Sequence, residues 1–262
     1  MTFISTKTSR QLIHIRDLLF ALVARDMKLR YKRSILGIAW SLVTPLAQLA
    51  VFYLIFTVLL PLNVPNYVSF LFTGVLVWSW FQMSLFQATS AIVDNRELIK
   101  RTGFPAAILP TVTVTTHLIH FLVALPILFV LLVLGGSPIT SAILALPLVI
   151  TLQFVLTLSL AYFTATFYVA FRDTQYLLGV LLNLLFFLTP IFYNASDLPQ
   201  AYQKLYHLNP MVHLVEFYRG ILLSGKMPDT SSLLFLTIPI TGMLFLGYHV
   251  FTKASSHFVD EL

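Results

Sequence analysis

Arg25-Asp26-Met27-Lys28-Leu29-Arg30-Tyr31-Lys32-Arg33 runs straight into an apolar segment from Ile35 to Leu60. Five cations stand beside a hydrophobic run of roughly 25 residues, enough to span a bilayer with some tilt. Cationic side chains are retained on the cytoplasmic side, so this junction orients everything that follows it. It also concentrates positive charge where membrane meets cytoplasm, a place suited to anionic head groups. The expectation is a membrane protein with its N-terminus inside.

Composition agrees. The chain is 58% hydrophobic and only 10% charged, against about a quarter charged in a soluble domain, and its mean hydropathy is +0.88. Cysteine is absent, which excludes disulfide frameworks and thiolate metal sites. The net charge of +6 invites a nucleic-acid reading, but the cations flank apolar spans instead of lining one soluble face. Membrane orientation explains them better, and no nucleic-acid partner is expected. Residues 1–34 spread their charges through Lys7, Arg10, Arg16 and Arg25 with no small-residue cleavage pattern, so the first apolar span is expected to be kept.

Six apolar segments can be drawn, at about 35–60, 67–91, 107–134, 142–171, 174–195 and 232–252. The links alternate. Pro61 to Asn66 and Gly135 to Thr140 carry no charge; the second link holds Asp94, Arg96, Glu97, Lys100 and Arg101, and the fourth Arg172 and Asp173. Such alternation fits an even number of spans with both ends inside. The fifth link, about 196–231, balances Lys204, Arg219 and Lys226 against Asp197, Glu216 and Asp229. Within it Met211 to Leu223 is apolar but too short to span, so it reads as re-entrant or as an amphipathic helix on the outer surface. Glu216 and Arg219, three apart, are close enough to pair on a helix.

Residues 10–29 have helical period. Arg10, His14, Asp17, Arg25 and Lys28 fall on one side and Leu12, Ile15, Leu19, Leu22 and Val23 opposite, with Arg16 and Asp26 interrupting the apolar side. An interfacial helix along the inner leaflet fits this pattern.

Chemical motifs are few. Gly220 to Met227 satisfies most of a phosphate-binding loop, yet the final position needs a hydroxyl for magnesium and is methionine, and no strand precedes it. The seven histidines show no metal signature; His117 and His120 lie three apart in an apolar span with no carboxylate beside them. They suit polar packing or a wet surface. No Gly-x-Ser-x-Gly elbow is present, and Asn194-Ala195-Ser196 fits a glycosylation sequon without further support. Trp78 and Trp80 are expected near a membrane interface. Phe52 and Phe56 share one face of the first span. Tyr176, Val180, Asn183, Phe187 and Pro190 follow a 4-3-4-3 spacing on the fifth. An asparagine facing lipid is costly, so this stripe should face protein or a cavity. Aromatic faces there can stack on sugar C–H faces and still let them slide.

Three blocks carry a family resemblance: Arg25 to Leu42, Phe171-Arg172-Asp173 with Leu188-Thr189-Pro190-Ile191-Phe192-Tyr193, and Leu208-Asn209-Pro210-Met211-Val212-His213-Leu214 followed by Tyr218-Arg219-Gly220-Ile221-Leu222. In this order they closely resemble the permease subunits of polysaccharide ABC exporters; Thr44-Pro45 departs from the Asn-Pro expected there. The resemblance implies an all-α integral membrane protein of six transmembrane helices in a bacterial inner membrane, with both termini cytoplasmic. Residues 1–34 would be the interfacial helix and 35–262 the transmembrane domain. Two copies would pair with two copies of a separate ABC ATPase, which holds ATP and magnesium; no cofactor is implied in this chain. The coupling segment 92–106, with Asp94, Arg96, Glu97, Lys100 and Arg101, would dock the ATPase. Segment 196–231 would form short outer gate helices, with Asn209, Pro210, Glu216 and Arg219.

On that basis the expected substrate is a polyprenyl-pyrophosphate-linked glycan, O-antigen first, with capsule and teichoic-acid chains, which members of the family also move outward, as the alternatives. Its head group would meet Lys28, Arg30, Lys32 and Arg33 at the inner leaflet, where arginine can clasp phosphate bidentately; alternatively these cations serve only orientation and bulk anionic lipid. Spans one and five of each copy would line the channel with Phe52, Phe56, Tyr176, Asn183 and Phe187. Two rivals stand beside this reading: an exporter of a drug or simple lipid, and a polytopic glycan-modifying enzyme. The enzyme would need convergent carboxylates or histidines at one membrane face, where the sequence offers only the dispersed Asp197, Glu216 and Asp229.

Overall fold

The apolar runs become helices in the computed structural model, which describes residues 2–59, 64–194 and 206–261. α1 (Thr2–Tyr31) carries Lys28 and Arg30 in its last turn, where cations complement the helix dipole. The chain then bends through Arg33 and Gly37, with φ of 65° and 53°. Glycine accepts the left-handed region freely; an arginine does so only as an isolated residue. A 3₁₀ turn, Gly37–Ala39, leads into α2 (Trp40–Tyr53), which continues as a π-helical stretch, Leu54–Leu59. There follow α3 (Tyr67–Asp94), α4 (Arg96–Ile99), α5 (Ile108–Leu134), α6 (Leu146–Ala170) and α7 (Thr174–Leu188). α8 (Pro210–Leu222), α9 (Thr230–Ser255) and α10 (Phe258–Glu261) complete the described chain, in which no strand occurs.

Five stretches are long and apolar enough to cross a membrane: Gly37–Thr57, Tyr67–Asp94, Ile108–Leu134, Ser141–Ala170 and Thr230–Ser255. They coincide with expected spans one to four and six. The fifth departs. Its helix stops at Leu188, short of the expected 195, because Pro190 has no N–H to donate and its ring pushes Thr189 out of the α region. Fifteen residues rise only about 22 Å, against a hydrocarbon core of about 30 Å. The uncharged link after span one falls partly on residues 60–63, and the outer segment partly on 195–205, outside the described residues.

α3 is the centre of the bundle, packed between α5 and α6, with α9 lying on the far side of α6. Small and hydroxyl side chains (Ser69, Thr73, Ser84, Ala88, Thr89) are buried along α3 and let its neighbours approach. Gln153 on α6 donates to the Val77 carbonyl at 2.9 Å, an interhelical bond in place of a buried unpaired amide. At Gly247 on α9 a Cβ would stand 2.7 Å from the Ser159 carbonyl oxygen, so only glycine permits this crossing. Trp78 and Trp80 do not mark an interface as expected. They sit in mid-helix, buried to 1% and 3% exposure, with Trp80 stacked on Phe121 at 5.0 Å. Bundle packing overrides their interfacial preference; Trp40, half exposed where α2 begins, has the more interfacial setting.

α1 is less free than an interfacial helix. It packs on α5, and Leu22 and Val23 are buried against the bundle, while Ile13, Ile15 and Phe20 stay exposed. At the same end α10 packs beside α4, with Phe258 buried against Phe251.

Candidate functional site

Two polar constructions stand toward opposite ends of α3. The first lies at the charged end, below the bend between α1 and α2. Arg30 donates from Nη2 to Gln87 Oε1 at 2.5 Å and stands 3.8 Å from Asp26. The same amide oxygen meets His117 Nε2 at 3.0 Å, so that nitrogen carries the proton. The Tyr31 hydroxyl and His120 Nε2 share a hydrogen bond of 2.9 Å, and burial raises the phenol above its ordinary pKa of 10.0. Arg30, Tyr31, His117 and His120 line a cavity of about 360 Å³ that also takes in Ser41, Gln48 and Gln82. Of the four cations expected to meet a head group, Arg30 lines this cavity; Lys28, Lys32 and Arg33 are exposed beside it. The two histidines thus serve polar packing between α1, α3 and α5. Gln87 is the member that sequence reading missed, although an uncharged polar residue in an apolar span was a visible signal.

The charged link sits at the same end. Asp94, Arg96, Glu97, Lys100 and Arg101 are all exposed, while Ile99 anchors α4 into the bundle. Arg25, assigned from period to the solvent side of α1, instead donates to Asn95 Oδ1 at 2.8 Å and ties α1 to this link. A groove of about 500 Å³ runs between Lys100 and Arg101 on one side and Phe251 and Thr252 on the other. A charged helical turn on a rigid base suits a partner protein.

The second construction surrounds the break after α7. Backbone carbonyls at membrane depth need donors, and the tight turn at Thr189-Pro190-Ile191, where Ile191 N donates to Thr189 O at 2.7 Å, leaves those of Pro190 and Ile191 without helical ones. Arg219 supplies them. It donates from Nη1 to Pro190 O at 2.5 Å and from Nη2 to Ile191 O at 2.6 Å and Phe70 O at 3.3 Å. Its guanidinium lies 3.4 Å from the centroid of the Phe70 ring, and the residue is 9% exposed. Gly74 makes room: a Cβ there would come within 2.8 Å of both Arg219 Nη2 and Ile191 O.

The expected Glu216–Arg219 pair does not form, because Arg219 turns inward to these carbonyls. Among the described residues Glu216 groups instead with His207 and His213. Asn209 and Pro210 start α8: the Asn209 side chain accepts from Met211 N at 3.0 Å, and Pro210 occupies the first turn, where a missing N–H costs nothing. Asn209 also donates to Thr189 Oγ1 at 3.0 Å, joining α8 to the end of α7. α8 is buried on nearly every face against α3 and α6, so it does not lie on a surface as an amphipathic helix. The Gly220–Met227 motif forms no phosphate loop; Gly220 is inside α8, and Gly225 (φ 61°) docks its carbonyl on Thr140 Oγ1 at 2.9 Å. After it Asp229 caps α9 by accepting from Ser232 N, and the hydroxyl of Ser231 helps hold its carboxyl below the usual value of 3.8.

An aromatic cluster stands beside the break. Phe52 and Phe56 stack on Phe192 at 5.7 and 5.4 Å, and Phe187 approaches the same ring at 6.2 Å. On α7, Leu178, Leu182 and Phe186 are buried. Tyr176, Val180, Asn183 and Phe187 lie on the exposed side of α7, together with Leu177, Leu181 and Leu184, so within one chain the stripe does not face protein as expected. Pro190, the last of that stripe, is buried. Phe192 was not singled out as a site residue from sequence.

A bundle of this build, with apolar helices long enough to cross a bilayer, is a multi-pass membrane protein. The sequence matches the ABC-2 type transporter family over residues 17–223, and the chain belongs to that family. It is 36% identical over 255 residues to the O-antigen export system permease protein RfbA of Myxococcus xanthus, covering 97% of this chain and 98% of that one. A protein of the same name from Klebsiella pneumoniae is 30% identical over 260 residues, 98% and 100% of the two chains. The polysialic acid transport protein KpsM of Escherichia coli is 24% identical over 230 residues, 87% and 89% of the two.

Proposed function

We propose that this chain is the permease subunit of an ATP-driven exporter that carries a lipid-linked polysaccharide, of the O-antigen class, outward across a bacterial inner membrane. The observation that carries this reading is the uncovered face of α7, where Asn183 lies among Tyr176, Val180 and Phe187 next to the Phe52–Phe56–Phe192 stack. A polar residue on an apolar face needs a wet or protein neighbour, and rings beside it suit a sliding glycan. Two copies facing each other across α2 and α7 would enclose such a path. Thr189 to Asn194 would complete the fifth crossing, with α8 as a re-entrant gate helix.

The positive-inside rule puts the charged end, and both termini, in the cytoplasm. α4, with Arg96, Glu97 and the neighbouring Lys100 and Arg101, receives the ATPase, where ATP and magnesium reside. Arg30, at the rim of the inner cavity, meets the pyrophosphate of the carrier lipid, assisted by Lys28, Lys32 and Arg33. Nucleotide binding in the partner then biases the paired subunits between two states of the path.

Deleting the gene should trap lipid-linked glycan inside the cell and strip it from the surface. Normal surface glycan with loss of a drug or simple lipid from the medium would overturn the substrate. For the head group, Arg30→Ala with Arg33→Ala should slow export while the assembly with the ATPase stays intact. Export at the wild-type rate would remove that role.

A further inference from the structure

At the start of α8 the gate residue Glu216 meets two histidines to which the transport reading gives no role. His213 and Glu216 stand three apart on α8 and so share one face of the helix. His207 lies in the turn that leads into the helix, two residues before the Asn209 cap. The ligand atoms of the three lie within 4.8 Å of one another. His207 is exposed and the other two are half-buried, so the group is open to solvent yet held on a rigid helix. The His213 and His207 rings are 5.2 Å apart, and His213 Nε2 donates to the His207 carbonyl at 2.8 Å. A backbone carbonyl behind one ring nitrogen is the usual support of a metal-ligating imidazole, since it fixes the tautomer and the ring. Phe235 of α9 closes one side at 6.3 Å.

We propose that His207, His213 and Glu216 form a divalent transition-metal site, best matched by zinc, that clamps the turn before α8 onto the helix. Two imidazoles and one carboxylate are the borderline donor set zinc prefers over calcium or magnesium. Bonds of about 2.1 Å in a tetrahedron bring ligand atoms to about 3.4 Å apart. The 4.8 Å spread therefore has to close by roughly 1.4 Å. His207 provides that movement, being exposed and outside any helix. Three protein ligands leave a fourth position for water. The clamp would brace the turn that holds Asn209, and through Asn209 the end of α7 at Thr189.

The test uses the full-length chain, purified without a histidine tag in lipid nanodiscs and stripped with a chelator. Wild-type protein should bind zinc at micromolar concentration, and cobalt should give the visible d–d bands of a low-coordinate site. Each of His207→Ala and His213→Ala should weaken zinc binding by at least about tenfold. Zinc should raise the melting temperature of the wild type but not of His207→Ala, an exposed position whose loss leaves the apo melting temperature unchanged. Equal zinc binding by wild type and His207→Ala would overturn the site. Binding without a rise in melting temperature would overturn the clamp. None of these readouts involves glycan, so they stand or fall apart from the export reading.

Discussion

Arg219 and Arg30 both bond to α3, and they could hardly be used more differently. Phe70 and Gln87, their respective contacts, are 17 residues apart on that helix, or about 26 Å. Arg219 is buried and its acceptors are three backbone carbonyls, none of which can turn away. Arg30 has a side chain 28% exposed, an amide and a carboxylate as partners, and a cavity of about 360 Å³ in front of it. Both of its partners can rotate. Fixed acceptors turn an arginine into a structural tie, whereas rotatable ones leave the guanidinium free to exchange partners with an arriving phosphate.

The comparison breaks most readily at Arg219. Arg219→Ala leaves the Pro190 and Ile191 carbonyls without donors in an apolar setting and should cost about 3–5 kcal/mol. Thermal unfolding in detergent reads this directly; a variant as stable as the wild type would show that the tie is dispensable. Arg219→Lys should recover little of the loss, because an ammonium cannot span carbonyls placed for a planar fork. Next comes Gly74→Ala. Its added methyl meets both Arg219 Nη2 and Ile191 O at 2.8 Å, an overpacking worth about 1–3 kcal/mol. If the methyl is accommodated without loss, the break after α7 is softer than its bonds suggest. Asn209→Ala removes the α8 cap and the bond to Thr189, for about 1 kcal/mol. Asn209→Asp, which keeps the capping oxygen but not the donor, separates the two contributions.

The same contrast explains what could be read in advance. The long spans were legible because a bilayer imposes length and hydropathy, and both are local in sequence. The end of α7 was not, since Pro190-Ile191-Phe192 scores as apolar whether or not its backbone can stay helical. Arg219 stood out as a charge in an apolar run, but its acceptors lie 28, 29 and 149 residues away, and no spacing rule reaches them. Its neighbour Glu216 offered a nearer partner at helical spacing, and burial decided against it. His207 escaped for a related reason. The turn made by Asn209-Pro210 carries it back toward His213 and Glu216, so the trio has no periodic signature. At the charged end the cations were plain. Their sorting was not, because it follows from which side of α1 packs on the bundle, and Arg30 finds its partner, Gln87, 57 residues away.

The smallest expected stability change is the sharpest use of the comparison. Arg30→Ala removes one bond to Gln87 and a weak attraction to Asp26 at 3.8 Å. Partly solvated pairs of this kind contribute under about 1 kcal/mol, and salt screens them further. The variant should therefore melt close to wild type, and raising the ionic strength should narrow the gap. The His117 ring keeps Gln87 as a partner and Tyr31 keeps His120, so the cavity wall stays built when Arg30 is gone. A loss as large as that of Arg219→Ala would mean that Arg30 too is a structural tie, with no spare bonding capacity for a ligand. A small loss of stability joined to slow export would leave the guanidinium one remaining task, contact with what passes through.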